Sequence, residues 1–173
     1  MNKKDFSRNC LADSLIDLLE DNAYEDISIQ DIVDKAGFSR MAYYRNFKDK
    51  NEIIEYYLDN LFESYIRKVD LSYNRLGAEQ FFKYLFEFFS GQEMAKITRL
   101  FLKRNLVGAL YNQFIKRVQG EFLPNQSHYF YDFLAGGFFA ISLAWIKNVL
   151  KESAEEMTKE AMKYITWLKE KRL

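Results

Sequence analysis

Four cations fall within eleven residues of this chain: Arg40, Arg45, Lys48 and Lys50, with Asp49 the only acid among them. Ser39, Met41, Tyr44 and Asn46 are interspersed. Arginine can grip a guanine edge with two parallel hydrogen bonds, and a methionine can touch a thymine methyl. Lys, Ser and Tyr donate to phosphate oxygens, which positions a protein on a duplex without reading sequence. The chemistry on offer is therefore recognition of an anionic, edge-patterned polymer. Covalent and metal chemistry have little to draw on. Cys10 is the only cysteine and His128 the only histidine, so neither a disulfide within the chain nor the usual N/S zinc set is expected. No Gly-rich phosphate loop or metal-ligand spacing appears. An enzyme is not expected, and neither is a cofactor. Cys10 reads as a small core residue and His128 as a cap or surface residue.

These side chains need two short helices to present them. Ser28-x-x-Asp31 fits a capping box, and Ile29, Ile32, Val33 and Ala36 follow as one apolar stripe. Gly37 suits the left-handed position that closes a helix. Ser39 then caps a helix over 39–46, with Phe38, Ala42, Tyr43 and Phe47 facing inward. Ser39, Arg40, Met41, Tyr44 and Arg45 are left for the outside. Two short helices across a tight Gly turn form a helix-turn-helix, whose second helix enters the major groove. Such pairs occur in many helical proteins, so the pattern alone is not specific.

The surrounding pattern is helical throughout. A first helix over 6–21 carries Leu11, Leu15, Leu18 and Leu19 on one face. Asp49-x-x-Glu52 fits a second capping box and opens a fourth helix reaching about residue 69, long enough to join a head to a body. Five more helices read as about 78–90, 92–104, 106–122, 127–150 and 153–171, with Leu123-Pro124-Asn125-Gln126 the clearest loop. The expected fold is all-α with about nine helices. Residues 1–50 form a DNA-binding head, the fourth helix connects, and 51–173 form an effector-binding and dimerisation body.

Composition limits the function classes. The 16 Phe and 12 Tyr supply a large core, and one Pro with seven Gly leaves little punctuation for strands. Net formal charge is zero, and residues 1–50 hold 8 Lys+Arg against 10 Asp+Glu. Any attraction to nucleic acid must come from the local patch. The apolar run Phe133–Ile146 has fourteen residues, short of the roughly 20 that span a bilayer, and the first fourteen residues are too polar for a signal peptide. A cytoplasmic protein without membrane contact is expected.

Ser28–Lys50 resembles the DNA-binding domain of the TetR family of bacterial regulators. The shared features are a Ser-capped helix, the Ala36-Gly37 turn, the run Tyr43-Tyr44-Arg45-Asn46-Phe47, and Lys50 opening the fourth helix. The likeness extends over about residues 8–60. It implies phosphate contacts for Ser28, Tyr44 and Lys50, base contacts for Gln30, Arg40 and Met41, and either for Asn46. Ala42 replaces the usual hydroxyl residue, and Tyr43 stands where Leu or Phe is common. Phe133–Asn148 and Glu155-Glu156-Met157 resemble, more loosely, the family's last two helices. The short aromatic body is similar to those of regulators from low-GC Gram-positive bacteria, the dihydroxyacetone-utilisation type among them. The resemblance implies a ligand-responsive repressor, repression being the family's usual mode.

The body's own residues add a dimerisation surface. Gly136, Gly137, Ala140 and Ala144 make a strip of small residues on a helix that is apolar nearly all round, so a partner's copy is expected to cover it. Met157, Ala161, Tyr164 and Leu168 form a seam on the last helix. Together the two helices predict a four-helix bundle in a homodimer. Phe82, Phe86, Phe101, Tyr111 and Phe114, with Arg104 as a polar anchor, are candidates for an effector pocket, against plain core packing. The alternative function is a coactivator whose body binds a partner protein in place of a small molecule. Double-stranded DNA is the expected partner in both readings.

Overall fold

The computed structural model describes residues 3–66, 73–119 and 127–170, with side chains over 4–65, 77–119 and 127–166. The expected loop Leu123–Gln126 and the far end of the fourth helix lie outside the described residues. Among those described, the elements are α1 (Lys3–Asp21), α2 (Ile29–Ala36), α3 (Arg40–Asn46), α4 (Lys50–Ile66), α5 (Tyr73–Ser90), α6 (Gln92–Lys103), α7 (Val107–Arg117), α8 (His128–Lys147) and α9 (Ala154–Glu170). The fold is all-α, as the periodicity predicts.

The chain divides into two compact units, Met1–Glu63 with Leu100–Leu110, and Ser64–Arg99 with Tyr111–Leu173. In the first, α1, α2 and α3 pack pairwise against one another. Leu11, Leu15, Leu19, Ile27, Ile32, Tyr43, Phe47 and Ile53 are its buried centre. The corner after α6 belongs to this unit. Arg104 donates from Nε to the carbonyl of Leu19 (2.6 Å) and from Nη2 to that of Glu20 (2.6 Å). These carbonyls end α1 and have no partner within the helix, and a cation there also opposes the negative end of the helix dipole.

The second unit is built on aromatic packing. Against Phe138 lie Phe86 (ring centroids 4.8 Å), Phe114 (5.6 Å), Phe89 (5.7 Å) and Phe82 (5.8 Å). Edge-to-face and offset contacts of this kind add about 0.5–1.5 kcal/mol each beyond area burial. α9 packs along α5, and α8 also contacts α5. Trp145 Nε1 donates to the carbonyl of Glu152 (2.9 Å), tying the end of α8 to the turn before α9.

Two boundaries follow the sequence pattern and one departs from it. Gly77, at φ 74° and ψ 166°, interrupts α5, so the regular helix starts after it, as expected. Asn105, the expected break, takes φ 58°. The expected helix to residue 150 stops at Lys147, because Val149 (φ 62°) and Leu150 (φ 55°) turn left-handed. Apolar periodicity continues through this turn and hides it. α8 has 20 residues and is long and apolar enough by composition to cross a membrane. However, Tyr131, Ala135, Phe138, Phe139, Trp145 and Ile146 are buried in the aromatic core, so it serves as a core helix.

Candidate nucleic-acid interface

The geometry of the first unit begins at two caps. Ser28 Oγ accepts from the Asp31 amide (3.2 Å), and Asp31 Oδ2 accepts from the Ser28 amide (2.8 Å), so the capping box is complete. The Ser28 hydroxyl first and the Ser28 amide second donate to the Asp31 carboxylate and hold it below its usual range. Gly37 ends α2 at φ 71° and ψ 31°, a conformation that costs a Cβ-bearing residue roughly 1–2 kcal/mol. Phe38 N–H returns to the Val33 carbonyl (2.9 Å), which fixes the tight turn. Ser39 Oγ accepts from the Ala42 amide (3.2 Å) and starts α3.

The seven residues of α3 then decide which side chains face outward. Ala42 and Tyr43 are buried in α3, and Phe47 just beyond it. On the other face, Ser39, Arg40 and Arg45 are exposed, Met41 is 73% exposed and Tyr44 55%. Ser39 spends only an acceptor lone pair on its cap, so its O–H is free to donate. Neither Arg40 nor Arg45 has an ion-pair partner among the described residues. A short helix, braced by α1 and α2, thus shows a row of unspent donors with one thioether methyl among them.

The chain matches a family model for bacterial regulatory proteins of the TetR family over residues 12–57, which spans this whole arrangement. A second model, for a transcriptional regulator C-terminal region of the same family, matches residues 94–166. The chain belongs to the TetR family. As a TetR-family protein it is a DNA-binding regulator of transcription. Among solved structures it is similar to the dihydroxyacetone kinase operon activator DhaS, with TM-score 0.56, 18% identity, and coverage of 92% of this chain and 94% of that one. It is also similar to the fatty acid degradation regulator FadR from Bacillus halodurans, with TM-score 0.52, 14% identity, and coverage of 92% and 93%. At these identities the likeness is one of fold. No curated protein matches the sequence.

The remaining TetR-type head residues are placed less simply than the resemblance implied. The Lys50 ammonium donates to the carbonyls of Tyr24 (2.7 Å) and Ile27 (2.6 Å) and lies 4.5 Å from the Tyr24 ring centre. Tyr24 O–H donates to Asn51 Oδ1 (2.7 Å). Lys50 therefore pins the first turn of α4 to the α1–α2 connection, and two of its three N–H groups are spent there. Asn46 is likewise engaged: Nδ2 donates to the Ala42 carbonyl (2.7 Å) and to Ser7 Oγ (3.1 Å), tying α3 to α1. The Ser28 hydroxyl donates to Asp31 Oδ2 (2.7 Å), so it has no proton left for a phosphate. Gln30 is exposed and donates to Asp34 Oδ1 (2.7 Å), a surface bond that a base edge can replace. The second capping box is shifted: Asp49 Oδ1 accepts from the Glu52 amide, and Glu52 Oε2 accepts from Lys48 N–H.

Other supports were not read from the sequence. Arg8 lies over the rings of Tyr56 (4.2 Å) and Phe47 (4.8 Å), and Tyr56 O–H donates to Asn9 Oδ1 (2.7 Å). They join α1 to α4 and to the end of α3, the Tyr56–Asn9 bond spanning 47 residues. No local spacing signals a pair that far apart. The Tyr43 hydroxyl is fully buried without a hydrogen-bond partner.

In the body, Gly137, Ala140 and Ala144 are exposed along α8, in line with Phe133, which is 67% exposed. Gly136 is half-buried, and a Cβ there would lie 3.6 Å from the Tyr111 hydroxyl. On α9, Tyr164 is 55% exposed and Met157 half-buried. Ala161 is buried at 8% exposure and lines the groove between α8 and α9. The Leu168 side chain lies outside the described residues. Phe133, Gly137, Ile141, Tyr164 and Ile165 line an apolar groove of about 160 Å³ between these two helices.

The effector candidates are divided. Phe114 stacks on Phe138, Phe82 and Phe86 meet the same ring at a tilt, and Tyr111 packs against Phe139 (5.2 Å). Phe101 is buried in α6, in the segment that joins the first unit. Arg104 donates from Nε and Nη2 to the carbonyls at the end of α1, so this edge of its guanidinium anchors helix to helix. Among the described residues no group of His, Cys, Asp and Glu is placed to hold a metal ion.

Proposed function

We propose that this TetR-family regulator is a ligand-responsive repressor that reads a palindromic operator as a homodimer, in the cytoplasm. Residues 1–50 are the reading head, and 51–173 carry dimerisation and effector response. One observation carries the reading: the row Ser39, Arg40, Met41, Tyr44 and Arg45 stands exposed on α3 with its donors unspent. Arg40 and Met41 are assigned to base edges, Tyr44 to phosphate, and Gln30 to the groove edge. Lys50, Asn46 and Ser28 hold the head in shape. The exposed line Phe133, Gly137, Ala140 and Ala144 supports a homodimer, since an apolar outer face of this length is normally covered.

The test is selection of binding sites from random duplexes. Two-fold symmetric sites are expected, with half-sites about one helical turn apart, roughly 34–36 Å, or a multiple of it. Recovery of asymmetric or single-stranded sites alone would reject the dimeric reader. A coactivator whose body binds a partner protein is the second reading. It is favoured by Tyr129 and Phe130, exposed by 74% and 40% at the start of α8. Titrating Tyr129→Ser against metabolites and against candidate proteins separates the two, because only protein binding should suffer.

A further inference from the structure

An open groove lies on the flank of α3. Lys4 and Ser7 of α1 face Ala42, Arg45 and Asn46 of α3 across a groove of about 570 Å³, with Phe38 also lining it. The two walls are fixed to each other. Asn46 Nδ2 donates to Ser7 Oγ (3.1 Å), and the Phe6 and Phe38 rings meet edge-to-face at 6.5 Å. The groove is therefore a held feature of the head.

Its polar groups select the ligand. Both Nδ2 hydrogens of Asn46 are spent, on Ser7 and on the Ala42 carbonyl. The Ser7 hydroxyl donates to the Lys4 carbonyl (3.0 Å) and accepts from Asn46. That leaves Lys4 Nζ and the Arg45 guanidinium, both exposed and neither ion-paired among the described residues. The free groups are thus two cationic donors, one on each wall. Such a pair suits an anion that runs along the groove. Arg45 lies one turn beyond Met41 on α3, so the groove borders the base-reading row directly. A helix in the major groove has a sugar-phosphate strand along each flank.

We propose that this groove seats the phosphate backbone bordering α3, with Lys4 and Arg45 each neutralising one phosphate. Arg45 then positions the head and reads no base, and α1 becomes part of the DNA surface. The assignment rests on the DNA-reading role of α3.

The test is a salt titration of the full-length protein on a selected operator and on an unrelated duplex, for wild type, Lys4→Gln, Arg45→Gln and the double variant. Both side chains are exposed and unpartnered, and circular dichroism verifies the fold. Each lost phosphate contact should make the log–log salt slope shallower by about 0.9, hence about 1.8 for a dimer on two half-sites. The double variant should show the sum. The loss should be the same on both duplexes. Unchanged slopes overturn the proposal. A loss confined to the operator with altered base preference after Arg45→Gln also overturns it, since Arg45 then reads bases. Wild-type protein that binds neither duplex would instead remove the DNA-reading role on which the proposal stands.

Discussion

Replacing Lys50 by Met separates two parts that one lysine can play at the start of α4. The chain length and apolar stem are kept, and the ammonium is lost. In the structure that ammonium holds the carbonyls of Tyr24 and Ile27 at 2.7 and 2.6 Å and sits 4.5 Å from the Tyr24 ring. A hydrogen bond to a charged group contributes about 1.5–3 kcal/mol when well shielded, and an exposed cation–π contact about 0.5–1 kcal/mol. Lys50 is half-buried, so solvent screens part of this. The expected net loss is about 2–3 kcal/mol. A chain of this size shifts by roughly 2–4 °C per kcal/mol, giving a fall in Tm of about 4–12 °C. Thermal unfolding followed by circular dichroism measures it. The salt slope of duplex binding should stay at the wild-type value, because no phosphate contact is lost. A Tm within about 1 °C of wild type, together with a slope shallower by about 1.8, would refute the reasoning and return Lys50 to the phosphate contacts.

Four further outcomes follow from individual residues. Tyr43→Phe removes a buried hydroxyl that has no partner. It should raise stability by about 1–2 kcal/mol, seen as a higher denaturant midpoint at constant slope, and a fall would mean the hydroxyl is satisfied after all. Gly37→Ala places a Cβ in open space but at φ 71°, so its cost of about 1–2 kcal/mol is backbone strain alone; a neutral result would argue against the left-handed turn. Ala140→Trp leaves the monomer folded, since Ala140 is exposed, yet should move the sedimentation coefficient from dimer to monomer at low micromolar concentration; a persistent dimer places the interface elsewhere. Tyr24 and Tyr43 are pushed up from 10.0 to about 12, by burial first and the Asp49 charge second. Their contribution to stability is whole below pH 10 and is lost as pH rises through about 12, so phenolate absorbance from these tyrosines in the folded protein should appear near pH 12 and not near pH 10. Early titration at pH 10 in the folded protein would contradict their burial.

The head was legible because its determinants are local. A cap and its carboxylate three residues on, a glycine at a helix end, and a stripe at helical spacing each act within one turn of chain. Ser28, Asp31, Gly37 and Ser39 therefore specify α2, the turn and α3 wherever the rest of the chain goes. Which face of α3 is buried also follows, since Ala42, Tyr43 and Phe47 share one side. The same holds for the helical class of the body and for the burial of α8. The turn at Val149–Leu150 leaves no mark in the sequence, because its residues are apolar and not glycine.

Tertiary structure decided what each polar group is free to do. Residue types nominated Lys50, Asn46 and Arg104 for ligands, yet both Asn46 amide hydrogens go to Ser7 and Ala42, two Lys50 hydrogens go to Tyr24 and Ile27, and Arg104 Nε and Nη2 go to Leu19 and Glu20. These partners lie up to 85 residues away, and a donor's availability depends on which carbonyl the fold brings within 3 Å. The same dependence buried Ala161 and set Lys4 opposite Arg45. A sequence sets donors, charges and helical faces, because those are properties of residues and their near neighbours. Whether a donor remains for DNA is a property of packing, which only distant segments meeting in space can determine.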